Sequence, residues 1–445
     1  MGSESHLFQR APGAPLPTAV RGEGVFIYDE HGNRYLDGCS GALVANLGHG
    51  REDIARAIAA QAARLAYVHG GAFTSEPAET LARMLAELAP ADLDRVFLVS
   101  GGSEATETAL KLARQYWVAR GRPEKYLVVF RWLSYHGATL GALAMSGHGA
   151  RRRPYRPLLA EFPHIPPCYH YRCPFCQAEP DCNLRCAWAL EAEVLRVGPE
   201  YVAAFIAEPV VGAAAGATTP PPGYFEVIRQ ICDRYDILFI ADEVMTGFGR
   251  TGRMFGIEHW GAVPDIIAAG KGISAGYAPL GAVIAREEIY RTVQGAGGFV
   301  HGFTYSGHPP SAAAGVAVLT VLQEEGLVAA AAQRGEYLKA GLLRLQERHP
   351  LVGDVRGKGL MLGLEFVRDR ATKEPFPRDL KVSERVVAAA FRRGLCVYPG
   401  SGTADGVRGD HLLVGPPLTI TPAELDLLVA ILDEALADVE AQVPG

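Results

Sequence analysis

The sequence is poor in the features that would send a chain to a membrane or to nucleic acid. Nowhere do apolar residues run for the roughly 20 positions that spanning a bilayer demands, and the opening MGSESHLFQR has neither a basic leader nor an apolar stretch. A cytoplasmic location is therefore the default expectation. Like charges do not cluster either: 43 basic against 49 acidic residues leave a net charge of −6, with no footprint for nucleic acid. Internal repeats and low-complexity tracts are missing as well.

Cysteine is scarce outside one place. Cys39, Cys232 and Cys396 are scattered, and the other five of the eight crowd into CYHYRCPFCQAEPDCNLRC as Cys168, Cys173, Cys176, Cys182 and Cys186. This is a local feature, not the framework of a secreted scaffold. Its C-x4-C-x2-C-x5-C-x3-C spacing has a single C-x2-C pair and makes a poor zinc ribbon, so free thiols, a disulfide and a bound metal all stay open. The segment reads as an insertion at 165–188, near an active-site entrance or a subunit contact.

What is present is apolar and alternating in kind. A chain of 445 residues, 49% apolar, exceeds what one core usually holds, roughly 250–300 residues, and implies a large domain plus a smaller one. The runs RVFLV (95–99), YLVVF (126–130), YVAAFIAEPV (201–210), DILFIADEV (236–244), DIIAAG (265–270) and GAVIA (281–285) are apolar throughout, as strands covered on both faces are. Helical spacing fills 103–120 and 221–235 between them. Strand and helix in alternation predict a mostly parallel α/β sheet sandwiched by helices, with ligands bound beyond the carboxyl ends of the strands. There stand Ser100–Ser103, Ser134–His136, Glu208, Asp242 and Lys271.

The large domain is expected over 61–315. Residues 1–60, with a hairpin turning at His31–Asn33, are expected to pack with a small α+β domain over 316–445, which ends in an amphipathic helix within 421–443.

Three local patterns bear chemistry. In VSGGSEATETALKLAR, Gly101, Gly102 and Ser103 stand where a strand hands over to a helix; such a turn either leaves unpaired N–H groups for a phosphate or is merely tight. It has neither the Walker lysine nor the dinucleotide G-x-G-x-x-G. Asp242, at the end of a buried strand, needs a cationic partner, and none adjoins it in sequence. Lys271, in AAGKGISAGYAPLG, has no acid nearby and only small or apolar neighbours. That is a surface turn, or a desolvated lysine whose lowered pKa makes it a nucleophile. A phosphate cradle, a carboxylate for a ring nitrogen and a Schiff-base lysine together specify pyridoxal 5′-phosphate.

Taken in order, SGGSEATETALKLAR, SYHGAT, AEPVVG, DEVMTGFGRTG, PDIIAAGKGISAGYAPLGAV, GFTYSGHP and VRGKGLMLGLEF resemble the class III (omega) aminotransferases, pyridoxal-phosphate enzymes of fold type I. The likeness runs from about residue 20 to the end. It implies a seven-stranded sheet and these roles: Lys271 as Schiff-base lysine and proton carrier, Asp242 on the pyridinium nitrogen, and Val244 and Tyr135 on the two ring faces. Gly101, Gly102 and Ser103 would hold the phosphate, with Thr304 from the partner subunit. A homodimer with shared active sites follows, a tetramer being a further option.

The likeness also sets Glu208 and His136 beside the cofactor, His136 chiefly shaping the turn after Tyr135. Arg408 stands where many relatives carry a mobile arginine that clamps the substrate carboxylate, and Leu43 where several carry a tryptophan in the substrate pocket, which implies a roomier pocket. Arg250 is expected to brace its loop and Arg356 to form an ion pair in the small domain. No metal is implied.

The implied reaction is ping-pong transfer, through an internal aldimine and the pyridoxamine form, from an amine, omega-amino acid or amino acid donor to a small oxo acid. Met245 stands where the 4-aminobutyrate and ornithine branch shows glutamine, and the motifs look more like those of pyruvate-using relatives, so pyruvate is the preferred acceptor. The alternatives are an aminomutase or racemase on the same scaffold, a 2-oxoglutarate-dependent aminotransferase, and a non-catalytic binding protein. The last is disfavoured because lysine, aspartate and phosphate loop are all intact.

Overall fold

The computed structural model describes residues 6–8, 16–176 and 182–443. Their largest sheet has seven strands, in the order Leu93–Val99, Gly281–Arg286, Ile266–Ala269, Leu238–Asp242, Val202–Ala207, Leu127–Arg131 and His164–Ile165. Five run parallel as neighbours; Gly281–Arg286 pairs antiparallel with both strands beside it. The continuous apolar runs have the expected cause. Leu238 and Ile240 enter one apolar cluster, Phe239 and Ala241 another, so each face of the strand is covered. Helices such as Gly102–Ala119 and Tyr224–Arg234 supply that cover. The fold is α/β, as expected.

The chain ends meet in a second body. The hairpin Phe26–Asp29 to Arg34–Asp37 forms as read, and its turn is tied by Asp29, whose Oδ1 accepts from the backbone N–H groups of His31 and Asn33, each at 2.9 Å. Arg34–Asp37 also pairs, in parallel, with Leu395–Cys396. A four-stranded antiparallel sheet, Val352–Lys358, Met361–Phe366, Asp410–Val414 and Tyr398–Ser401, stands beside it. The last helix, Pro422–Glu440, starts at a capping box in which Thr421 and Glu424 bond reciprocally.

Both domain borders expected from the sequence, at 60 and at 315, fall inside helices, Glu52–Arg64 and Pro309–Glu324. The alanine-rich stretch around 312–317 is a strong helix former, and these two helices pack on one another, so no linker separates them. Among the described residues no single helix is long and apolar enough to cross a membrane. All eight cysteines are free thiols, and no three potential metal ligands converge among the described residues. Cys168 is buried with its Sγ 2.9 Å from Arg131 Nη1.

Candidate active site

Three neighbouring parallel strands deliver three polar groups to one mouth of the sheet. Asp242 ends the strand Leu238–Asp242, Glu208 follows Val202–Ala207, and Lys271 comes two residues after Ile266–Ala269. The register pairs Asp242 with Ala268 and Ala241 with Ala207, so the groups lie side by side at strand spacing, roughly 5 Å.

Asp242 is buried and fully engaged. Its Oδ1 accepts from Val244 N at 3.1 Å, and its Oδ2 lies 2.7 Å from His136 Nδ1, a pairing in which the ring N–H donates. His136 therefore does more than shape the turn after Tyr135: its ring holds one oxygen of the Asp242 carboxylate. Glu208 has the complementary job. Its Oε1 accepts from Tyr135 N at 2.9 Å and its Oε2 from Gly212 N at 2.8 Å, pinning two loops at the cleft. Burial pushes the Glu208 carboxyl up and His136 pulls it back.

The side-chain amine of Lys271 makes no hydrogen bond and no salt bridge among the described residues. Loss of hydration in the cleft pushes its amine down from 10.5 to about 8, against the carboxylates of Asp242 and Glu208, which favour the charge. Its backbone is left-handed, with φ 47°, a conformation that costs an L-residue roughly 1–2 kcal/mol and here aims the residue after an extended Gly270.

The turn expected to cradle a phosphate adjoins this lysine. The helix Gly102–Ala119 begins after Gly101 with no side chain capping it, so its leading N–H groups face outward. Ser103 Oγ accepts from Ala138 N at 3.0 Å. A Cβ on Gly102 would come within 2.5 Å of Val244 Cγ1, and one on Gly270 within 3.2 Å of Gly102 N. The glycines thus let Val244, the helix start and the lysine segment close on one space. A dry amine, an uncapped helix start and a buried carboxylate around that space fit pyridoxal phosphate, with the amine for its carbonyl, the N–H groups for its phosphate and the acid for its ring nitrogen.

The family model for aminotransferase class-III matches residues 9–436. The chain belongs to the class-III aminotransferases. Among its relatives, the uncharacterized aminotransferase YodT of Bacillus subtilis is 42% identical over 98% of both chains. The putrescine–pyruvate aminotransferase of Pseudomonas aeruginosa is 38% identical, covering 95% of this chain and 91% of that one. An amine transaminase from an uncultivated Pseudomonas species, solved with pyridoxal phosphate bound, matches with TM-score 0.91 at 37% identity, covering 98% of this chain and 100% of that one. Members of the family depend on pyridoxal phosphate.

Within this aminotransferase the residues expected at the rim are placed differently from those at the floor. Arg408 is exposed, with its Nε 2.7 Å from Asp405 Oδ2 and its Nη1 3.9 Å from Glu374, and so is held by acids of its own surface. Leu43 is buried, with the backbone of Gly415 against it, instead of lining an open cleft; its left-handed φ of 57° turns it inward. Thr304 is exposed, its carbonyl taking a bond from Tyr67 Oη at 3.1 Å. Met245 packs on Gly212, beside Glu208.

Arg250 braces far more than its loop. It is fully buried and donates to Leu360 O, Pro416 O, Ser40 Oγ and Asn46 Oδ1, joining the large domain to both chain ends. Arg356 makes the expected ion pairs, with Asp354 at 2.7 Å and Glu365 at 2.8 Å, and also donates to Ala215 O and Gly216 O across the domains. Glu243 escaped the reading: its carboxylate accepts from Gly256 N and Ile257 N, and burial pushes it up to about 7. Two acids in succession at a strand end were its only signal.

Proposed function

We propose that the protein is a pyridoxal-phosphate-dependent aminotransferase that passes an amino group from an amine, omega-amino acid or amino acid donor to a small oxo acid, preferably pyruvate, in two half-reactions. The observation that carries this reading is Lys271: a desolvated amine without an ion pair, between a buried carboxylate and an uncapped helix start. When bound, the cofactor supplies an electron-accepting ring conjugated to the carbon that loses its proton.

The chain's own groups do the rest. Lys271, whose amine is pushed down to about 8 and is half-neutral there, would hold the cofactor through its carbonyl group and would move a proton at the substrate carbon. Asp242, held by Val244 N and His136, keeps a proton on the ring nitrogen. Tyr135 and Val244 cover the two ring faces, and Gly101, Gly102 and Ser103 bind the phosphate. Thr304, exposed on its own chain, serves the partner's phosphate in a homodimer with shared sites. Glu208 holds Tyr135 and Gly212 in register.

Pyruvate as acceptor is supported by Met245 beside Gly212 and Glu208, where a glutamine would offer hydrogen bonds to a larger diacid, and by the activity named for the Pseudomonas aeruginosa relative. A half-reaction screen tests the reading: holoenzyme is offered a panel of amines and amino acids, and the visible band of the bound cofactor is followed with and without pyruvate. Loss of the band with donor, and its return with pyruvate, is the expected result. Conversion of one amino compound to an isomer with no oxo acid present would show an aminomutase or racemase instead.

A further inference from the structure

Three arginines follow one another at 151–153, and they have different fates. Arg152 Nη1 donates to the backbone oxygens of Leu143, Ala144 and Ser146 at 2.8, 2.7 and 2.9 Å, which closes the end of the short helix Leu140–Ala144. Arg153 is exposed. Arg151 is half-buried with its guanidinium carbon 4.1 Å from the ring centroid of Tyr135, and its Nη2 lies 3.4 Å from Tyr398 Oη.

No acid pairs with Arg151 among the described residues. Other half-buried arginines are held by a carboxylate, as Arg172, Arg229 and Arg286 are at 2.6, 2.8 and 3.1 Å, or by backbone oxygens, as Arg114, Arg152 and Arg334 are; among the described residues the side chain of Arg151 has neither. A guanidinium has five N–H donors in a planar fork, and stacking on an aromatic ring orients the fork while consuming few of them. Tyr135, the ring beneath it, is tied by its own N–H to Glu208 in the cleft. The field of Arg151 also reaches Lys271, where it helps to disfavour the ammonium. The loop that carries Arg408 lies against the short helix Gly149–Arg152 that bears Arg151: a Cβ on Gly149 would meet Gly406 O at 3.4 Å. Two arginines thus stand at one rim, one held by acids and one without any.

We infer that Arg151, stacked on Tyr135 and bonded to Tyr398, receives the carboxylate of the substrate, and that Arg408 does not. The inference rests on the aminotransferase reading and deepens it, since it makes the preferred substrates carboxylates at the end of the cleft that Tyr135 and Tyr398 bound. A bidentate guanidinium–carboxylate pair in a half-dry site is worth roughly ten- to a hundredfold in affinity.

The test uses holoenzyme with one uncharged amine donor at saturation and compares pyruvate with propanal, an uncharged acceptor of the same carbon count. Arg151→Gln is expected to raise KM for pyruvate about ten- to a hundredfold, with propanal changed less than about threefold; Arg151→Lys recovers part of the loss, and Arg408→Ala leaves the ratio as it was. Equal losses on both acceptors would reduce Arg151 to a prop for Tyr135 and overturn the inference. So would a loss specific to pyruvate in Arg408→Ala, or a wild type that does not prefer pyruvate to propanal. If the wild type moves no amino group to either acceptor from any amine or amino acid in the donor panel, the aminotransferase reading itself falls, and the inference with it.

Discussion

The floor of the cleft and its rim are held by different means. At the floor, Glu208, Asp242 and Lys271 stand at or within two residues of the ends of adjacent parallel strands, and the ladder fixes their positions. Every carboxylate oxygen there has an N–H partner. At the rim, Arg408 and Thr304 ride on exposed loops, and the contacts of Arg408 are with charges of its own surface. A strand end tolerates little displacement because the whole sheet resists it, whereas a loop arginine exchanges one surface partner for another at small cost. On the function proposed above, chemistry belongs at the floor, and adjustment to different substrates at the rim.

The largest effect should come from removing the amine. Lys271→Ala is expected to lower turnover by at least about 10⁴-fold and to abolish the visible band of covalently held cofactor, with the fold intact by circular dichroism. A variant that keeps both band and turnover would place the reactive amine elsewhere. Asp242→Asn comes next, at roughly 10²–10³-fold in kcat, because a neutral amide cannot hold a proton on the ring nitrogen. The loss should appear in kcat more than in KM for either substrate.

The same two residues are coupled, and pH exposes the coupling. The amine is pushed down to about 8, so the rate at which apo-protein takes up pyridoxal phosphate should be half-maximal near pH 8 and fall about tenfold per pH unit below it. The sign for stability agrees. A lysine whose folded pKa lies below its unfolded value costs the fold stability at low pH, and that cost is relieved as pH rises through about 8. Asp242 favours the ammonium, so Asp242→Asn should move the midpoint of uptake further down. A midpoint that stays put would separate the two groups and break the picture of one electrostatic unit.

Much of the floor was legible in the sequence because the signals that place it are regular. Continuous apolar runs predict strands covered on both faces, and Asp242 and Lys271 stand at or just beyond the ends of two of them. The pairing of Asp242 with His136 was not legible: the two are 106 residues apart and meet only because separate loops converge above the sheet. Arg250 was underestimated for a similar reason, since its four acceptors come from 40–46 and 360–416, and nothing in GFGRTG announces a bolt between domains. The rim was the least legible. Whether Leu43 faces a cleft or a core depends on a positive φ that periodicity does not report, and the partners of Arg408 depend on how a glycine-rich loop folds on itself.

The smallest effect is the one that sharpens the comparison most. Arg408 and Asp405 are exposed and Glu374 is half-buried, so the pairs are largely screened by water and salt and hold the side chain loosely. If the rim only adjusts, Arg408→Ala should change kcat/KM for pyruvate by less than about twofold, and the pH midpoint of cofactor uptake should hardly move, since the charges that chiefly act on Lys271 are those of Asp242, Glu208, Arg151 and Arg250. Raising salt should leave the wild type and Arg408→Ala equally affected. A loss of tenfold or more for pyruvate alone would show that the arginine abandons Asp405 and swings inward when a carboxylate arrives. The rim would then be part of the binding site, and the division drawn between a fixed floor and an adjustable rim would apply to the empty cleft only.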